Sequence, residues 1–313
     1  MTLTDLRYLV ALARERHFGR AAESCHVSQP TLSVAIKKVE DELGVQLFER
    51  SATEVKITAV GQRIVNQAGK VLVEAALIPE IAAAGKDPLS GPLRIGAIYT
   101  IGPYLLPRLI PLMRQHAPRM PLVIQENFTH VLVDQLKRGE LDVVILSLPF
   151  EEAGVVAQPL YDEPFRVLLP AGHAWASEKT IEADKLADDQ LLLLGAGNCF
   201  RDQVLEVCPQ CRNVGGLQRT LEGSSLETIR HMVASGLGVT ILPSSAADEL
   251  QENNPLVAVR PFAEPQPIRR VALAWRVTYP RSGAIDVVRQ AILECGLPGV
   301  RPIGRMPLEE AAA

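Results

Sequence analysis

Seven strand-like runs recur along the second and larger part of this chain, and they constrain its fold more than any other feature. They are Leu93-Arg94-Ile95-Gly96, Leu122-Val123-Ile124, Val143-Val144-Ile145-Leu146, Val167-Leu168-Leu169, Leu191-Leu192-Leu193-Leu194, Val239-Thr240-Ile241-Leu242 and Val271-Ala272-Leu273-Ala274. Helical segments lie between several of them, an alternation that predicts parallel sheets and an α/β architecture. Seven strands over residues 89–300 suit two linked α/β lobes rather than one. The remainder, 301–313, carries Pro302, Gly304 and Pro307 and is expected to be a flexible tail.

The first 60 residues are built differently. Leu6, Leu9, Val10 and Ala13 share one apolar helical face, Ala21, Ala22 and Val27 form a second unit, and Leu32, Ile36, Val39 and Leu43 a third, closed by Gly44. The segment Phe18 to Ser33 has the layout of a helix-turn-helix. Small Ala21 and Ala22 permit close crossing, Val27 plugs the corner, and Ser28 caps the next helix, whose first turn tolerates Pro30. That second helix presents Gln29, Thr31, Ser33, Lys37 and Lys38, residue types that reach base edges and phosphates in a major groove. Phe48 to Thr58 suits a small wing, from which Arg50 can enter a minor groove or grip phosphate. Ordinary surface charge on a helical hairpin would give the same pattern. Between the two regions, Val60, Ile64, Val65, Ala68, Val71, Leu72 and Ala75 predict one long helix from 58 to about 86, with Pro79 kinking it or starting its last turn.

Bulk properties narrow the function classes. The 313 residues are 47% hydrophobic and 22% charged, as in soluble globular proteins. A net charge of -4 means that any DNA contact must come from a local surface. The opening Met1 to Tyr8 is polar, without the apolar stretch of a secretory signal, and no run reaches the ~18 apolar residues of a membrane span. The expectation is a cytoplasmic protein, with no membrane association, whose five cysteines are held reduced rather than in a static framework.

Three of those cysteines cluster. Cys199 follows Gly195-Ala196-Gly197-Asn198, and Cys208-Pro209-Gln210-Cys211 lies just beyond. If Gln203 to Cys208 is helical, Cys199 and Cys208 stand ~13.5 Å apart along the axis. A disulfide needs Cα atoms within roughly 7 Å, so such a bridge requires the helix to melt. Phe200, Val204, Leu205, Val207 and Cys208 make an apolar stripe that would bury Cys208 while it is reduced. A reactive thiol needs a cationic neighbour and access; Arg201 is close in sequence, and Arg269-Arg270 can arrive from a strand edge. The C-x-x-C offers a second resolving thiol or a redox pair of its own. As a metal signal the cluster is weak, and neither a metal nor a cofactor is expected. Cys25 and Cys295 read as buried bystanders.

Two resemblances follow from these motifs. Phe18-Gly19-Arg20-Ala21-Ala22, Val27-Ser28-Gln29-Pro30-Thr31-Leu32-Ser33 and Glu42 to Arg50 resemble the winged helix-turn-helix of LysR-type transcriptional regulators. That implies a DNA-binding domain at 1–60, a linker or dimerisation helix at 61–88, and a two-lobed domain at 89–300 similar to periplasmic binding proteins. It also implies homodimers or homotetramers on double-stranded promoter DNA, acting with RNA polymerase. Gly96 to Leu105, Glu126 to His130, Cys199 to Gln203, Cys208 and Ser224 to Arg230 further resemble the OxyR-type hydrogen peroxide sensors within that family. The resemblance makes Cys199 the peroxidatic and Cys208 the resolving cysteine, places Thr100, Thr129, His130 and Asp202 around the peroxide, and makes Arg270 the thiolate partner. Asn198 departs from it, standing where these sensors commonly carry histidine, and Cys211 is an added thiol. A regulator that binds a small metabolite between its lobes is the alternative. A thiol peroxidase is disfavoured by the DNA-reading region, and a solute-binding protein by the polar start.

Overall fold

Thr2 sets the start of the first helix, α1 (Leu3–Glu15): its hydroxyl accepts the Asp5 N–H while the Asp5 carboxylate accepts the Thr2 N–H. The computed structural model describes residues 1–50, 55–85, 87–213, 222–250 and 254–303. It divides into two units, Met1–Ala83 and Ala84–Ala313.

In the first unit, α1, α2 (Phe18–Ser24) and α3 (Gln29–Leu43) enclose Leu9, Leu12, Ala21, Ala22, Leu32, Ile36 and Val39. Ala21 and Ala22 are buried at the helix crossing. Gly44 ends α3 in the left-handed region at φ 67°, where a side chain would be strained. The wing is a hairpin of β1 (Phe48–Arg50) and β2 (Val55–Ile57), with Phe48 opposite Ile57. Glu40 ties it to α3 by accepting the Leu47 and Phe48 N–H groups. Then α4 (Ala59–Ala84) runs for 26 residues, and Pro79 lies inside it rather than ending it. Gly61 approaches the wing so closely that a Cβ there would lie 2.2 Å from the Leu47 carbonyl oxygen.

The second unit has two hydrophobic cores. Parallel strands β3 (Leu93–Ile98), β4 (Leu122–Asn127) and β5 (Val143–Leu148), with α5 (Gly102–His116) and α6 (Thr129–Lys137), build the first lobe. The 16-residue strand β6 (Val155–Pro170) serves both lobes. Its first part pairs antiparallel with β9 (Ile268–Arg276), and its last part with β7 (Thr240–Pro243) and β8 (Val257–Pro261). Around that last part, α7 (Cys199–Val207), α8 (Leu226–Ala234) and α9 (Ser244–Ala247) form the second lobe. The first lobe is completed by α10 (Ser282–Glu294).

Three expectations change. Among the described strands, parallel pairing holds for β3 with β4 and β5; β9 runs antiparallel to both β5 and β6, because long returning strands join the lobes. Leu191–Leu194 forms no strand, only isolated bridges from Leu191 to Val239 and from Leu194 to Gly223. Within the tail, Arg301–Pro302 pair with β6 as β10, and 304–313 lie outside the described residues. Among the described residues no helix is long and apolar enough to cross a membrane.

Candidate functional site

The parallel strands β3 and β4 end side by side, and ligands of open α/β sheets bind beyond the carboxyl ends of such strands. Here Tyr99 and Thr100 follow β3, and Phe128 and Thr129 follow β4. The turn Gly197-Asn198-Cys199 meets them. Gly197 takes φ 92°, and the Asn198 side-chain amide donates to the Gly195 carbonyl at 3.0 Å, so the turn is fixed before α7 begins. Asn198 is the residue before the first turn of α7, without a side-chain bond to that turn. Cys199 opens the helix, half-buried, and the Thr129 hydroxyl donates to its sulfur at 3.8 Å. The recess between these groups leaves a cavity of about 10 Å³, the threshold for one water-sized molecule.

Behind this recess stands a buried ion pair. Arg269, 2% exposed, donates Nε to Glu163 Oε2 at 2.7 Å, and its two Nη groups to the hydroxyl and carbonyl of Thr100, both at 2.9 Å. Glu163 also accepts the Ser245 N–H at 3.0 Å. The Arg269 guanidinium lies 5.4 Å from the Phe200 ring centroid, which links the pair to α7. Gln203, one turn on, donates to the Ser147 hydroxyl at 2.9 Å and the Leu148 carbonyl at 3.3 Å, fastening α7 to the end of β5.

The expected site residues separate accordingly. Cys199, Thr100 and Thr129 come together. His130 is exposed and stacks on Phe128, its centroid 5.9 Å away, and Asp202 is exposed in the first turn of α7. Arg270 turns to the opposite face of β9 from Arg269 and forms a bidentate pair with Asp162 at 2.7 and 2.9 Å. Arg269, not Arg270, is therefore the cation that reaches the wall of the recess. Successive residues of a strand face opposite ways, and two adjacent arginines carry no mark of which one faces inward. Arg201 is also committed, to the Leu194 carbonyl and to Glu222. Ser225 caps α8 through the Thr228 N–H, the capping role its sequence context suggests.

Cys208 lies at the far end of α7, fully buried, and is bonded to Cys211 in a disulfide with Cα atoms 5.5 Å apart. Cys199 is free. Cys295 is buried, and burial pushes its thiol up to about 11. Cys25 is only half-buried, where burial was expected for it as for Cys295. Among the described residues no group of three or more His, Cys, Asp or Glu is placed to hold a metal ion.

On α3, Ser28 accepts the Thr31 N–H at 3.3 Å and shares a 2.8 Å bond with the Thr31 hydroxyl. Gln29, Pro30, Thr31, Lys37 and Lys38 are exposed, and Ser33 is half-buried. Val34, which the sequence pattern left unassigned, is 69% exposed on the same helix. The side chain of Arg50 lies outside the described residues.

A helix-turn-helix with a wing, followed by a two-lobed α/β unit, is the organisation of a one-chain DNA-binding regulator. Residues 3–62 match the family model "Bacterial regulatory helix-turn-helix protein, lysR family", and residues 86–295 match "LysR substrate binding domain". The chain belongs to the LysR family of bacterial transcriptional regulators. Within it the chain is similar to the OxyR proteins. It is 42% identical to the DNA-binding transcriptional dual regulator OxyR of Escherichia coli K12, over 93% of this chain and 95% of that protein. Full-length OxyR of Pseudomonas aeruginosa, solved as a C199D variant, shares 56% identity over 98% of this chain and 99% of that one, with a TM-score of 0.78. A cysteine mutant of Corynebacterium glutamicum OxyR solved with H2O2 bound is 33% identical over 94% of this chain and 92% of its own, with a TM-score of 0.63.

Proposed function

We propose that this protein is a hydrogen peroxide-responsive transcriptional regulator in which Cys199 is the reacting thiol. The observation that carries the reading is the placement of Cys199 at the head of α7, under the Thr129 hydroxyl, beside a recess at the threshold for one water-sized molecule. The Thr129 and Thr100 hydroxyls orient a peroxide there, and Arg269 holds Thr100 in place. Attack by the Cys199 sulfur on one peroxide oxygen gives a sulfenic acid and releases water. Cys208, when its thiol is free, condenses with that sulfenic acid, forming the Cys199–Cys208 bond and releasing a second water.

That bond requires α7 to unwind, because the two sulfurs leave opposite ends of it. Unwinding exposes Phe200 and Val204, at 2% and 3% exposure, and exposing two such side chains costs on the order of 3–6 kcal/mol. It also releases Gln203 from Ser147 and Phe200 from Arg269, so the lobes lose ties at the same moment. The change in packing alters the contacts between subunits of a homodimer or homotetramer, and through them the spacing of the DNA-reading helices.

On promoter DNA, Ser28, Gln29, Pro30, Thr31 and Ser33 face the major groove from the first turns of α3. Lys37 and the wing residue Arg50 hold phosphate. Val34 is suited to a thymine methyl. Recruitment of RNA polymerase, a cytoplasmic location and a linker role for the helix after residue 60 complete the proposal.

A second reading has one observation in its favour. A groove of about 690 Å³ lined by Leu148, Phe150, Gln203, Arg269 and Arg270 has room for a metabolite. The two readings separate on one experiment. Fully reduced protein receives about one equivalent of hydrogen peroxide, is alkylated and is mapped by mass spectrometry. Loss of Cys199 alkylation, with no oxidation of any thiol in Cys199→Ser, supports the peroxide reading. Five thiols still alkylated as before treatment would leave the metabolite regulator standing in its place.

A further inference from the structure

Cys211 has no part in the switch just described, yet it is 4% exposed in the second core and bonded to Cys208, the residue that the switch requires as a free thiol. The same molecule holds Cys199 as a free thiol and α7 as an intact helix. This combination matches neither the fully reduced switch nor its Cys199–Cys208 form. It is a third thiol–disulfide form of the chain, at the same oxidation level as the Cys199–Cys208 form, and it keeps the helix.

We infer that Cys208 and Cys211 form a second redox couple, which takes the oxidation off Cys199 and returns the regulatory unit to its helical form. The inference rests on the peroxide reading above. The route is one thiol–disulfide exchange. After the Cys199–Cys208 bond has formed, the Cys211 thiolate attacks the Cys208 sulfur; the Cys208–Cys211 bond forms, the Cys199–Cys208 bond breaks, and the electron pair leaves on the Cys199 sulfur, which takes up a proton. Over the whole sequence one peroxide becomes two waters, and the Cys208 and Cys211 thiols become a disulfide. Cys199 ends as it began.

Geometry gives the exchange its direction. The Cys199–Cys208 bond cannot coexist with α7, whereas the Cys208–Cys211 bond sits just beyond the helix, in the turn Pro209–Asn213, and leaves it whole. Transfer therefore lets Phe200 and Val204 return to the core and Gln203 return to Ser147. Cys208 and Cys211 are also three residues apart, so the attacking sulfur is always near its target. The signal thus ends within the protein. A chain in this state has a reactive Cys199 without a resolving partner, so a second peroxide drives Cys199 to sulfenic and then sulfinic acid instead of a disulfide. The couple is restored by a dithiol reductant that opens the Cys208–Cys211 bond, and its burial makes that step slow.

The test follows disulfides over time in full-length protein. Wild type, Cys211→Ser, Cys211→Ala and Cys199→Ser are fully reduced, freed of reductant, given about one equivalent of hydrogen peroxide, and quenched with an alkylating agent at successive times. In wild type the Cys199–Cys208 peptide rises and then falls as Cys208–Cys211 rises, and Cys199 becomes alkylatable again. In both Cys211 variants Cys199–Cys208 persists at least about tenfold longer. Agreement between the serine and alanine variants, with wild-type circular dichroism, shows that packing at 211 is not the cause. A Cys199–Cys208 bond as persistent in wild type as in the variants would overturn the relay while leaving the peroxide reading intact. Formation of Cys208–Cys211 at the wild-type rate in Cys199→Ser would overturn it equally. Wild-type thiols that all remain reduced would overturn the peroxide reading and the relay together.

Discussion

Replacing Arg269 by methionine removes a cation buried behind the Cys199 recess, and the cost follows from its contacts. The Glu163 carboxylate is 0% exposed and, among the described residues, would keep the Ser245 N–H as its hydrogen-bond donor; Thr100 would lose both of its bonds to the guanidinium, and Phe200 the cation over its ring. Removing one member of a buried pair costs about 3–5 kcal/mol, because the other charge stays buried without compensation. Both tryptophans, Trp175 and Trp275, lie in the regulatory unit, so fluorescence during urea unfolding reports on that unit alone. With a slope of about 2–3 kcal/mol per molar, the midpoint should fall by roughly 1–2.5 M. The double variant Arg269→Met with Glu163→Leu removes both charges and should recover most of that loss. A single variant less than about 1 kcal/mol below wild type, or a double variant no better than the single, would refute the reasoning.

Three other outcomes follow from the same structure. Gly61→Ala would gain about 1 kcal/mol on an open helix. Here its Cβ meets the Leu47 carbonyl at 2.2 Å, so thermal unfolding of the DNA-binding unit should show a loss of about 1–3 kcal/mol instead. Cys295, raised from 9.0 to about 11 by burial, should label about a hundredfold more slowly at pH 8 than an unperturbed thiol. Its labelling should rise through pH 9–11, and its contribution to stability, complete below pH 9, should disappear as pH rises through 11. Lys37→Ala should weaken DNA binding evenly across sequences and reduce the salt slope by about 1; an unchanged slope in a titration would remove Lys37 from the phosphate contacts.

The DNA-reading unit was the most legible part of the chain because its signals are local. Ser28 before Pro30, paired alanines at the crossing, and Gly44 at the helix end each fix a backbone conformation within a few residues. In the second unit the longest strand was read only at Val167–Leu169. Pro159, Pro164, Asp162 and Glu163 break its apolar pattern, yet β9 and the paired arginines it carries supply their partners from more than a hundred residues away. Leu191–Leu194 misled in the opposite sense: four leucines suit a strand, but only bridges at its two ends are made. The site itself was legible in its cysteines and threonines. Which of Arg269 and Arg270 faces inward depends on strand register, and the bond between Cys208 and Cys211 depends on how α7 ends. Spacing alone does not choose the arginine, whereas the C-x-x-C spacing offers the disulfide without selecting it over the other pairings. The closeness of Gly61 to Leu47 was hidden for the same reason: a mid-helix glycine reads as a weakness until the wing is seen packed against it.

The most direct test couples the thiol to the DNA. Duplexes selected from a random pool by the reduced full-length protein are footprinted before and after about one equivalent of hydrogen peroxide, with wild type and Cys199→Ser side by side. Wild type should stay bound while the spacing of its protected half-sites changes, and Cys199→Ser should keep the reduced pattern throughout. A peroxide-induced change of equal size in Cys199→Ser, or no change in wild type once Cys199 is oxidised, would contradict this coupling.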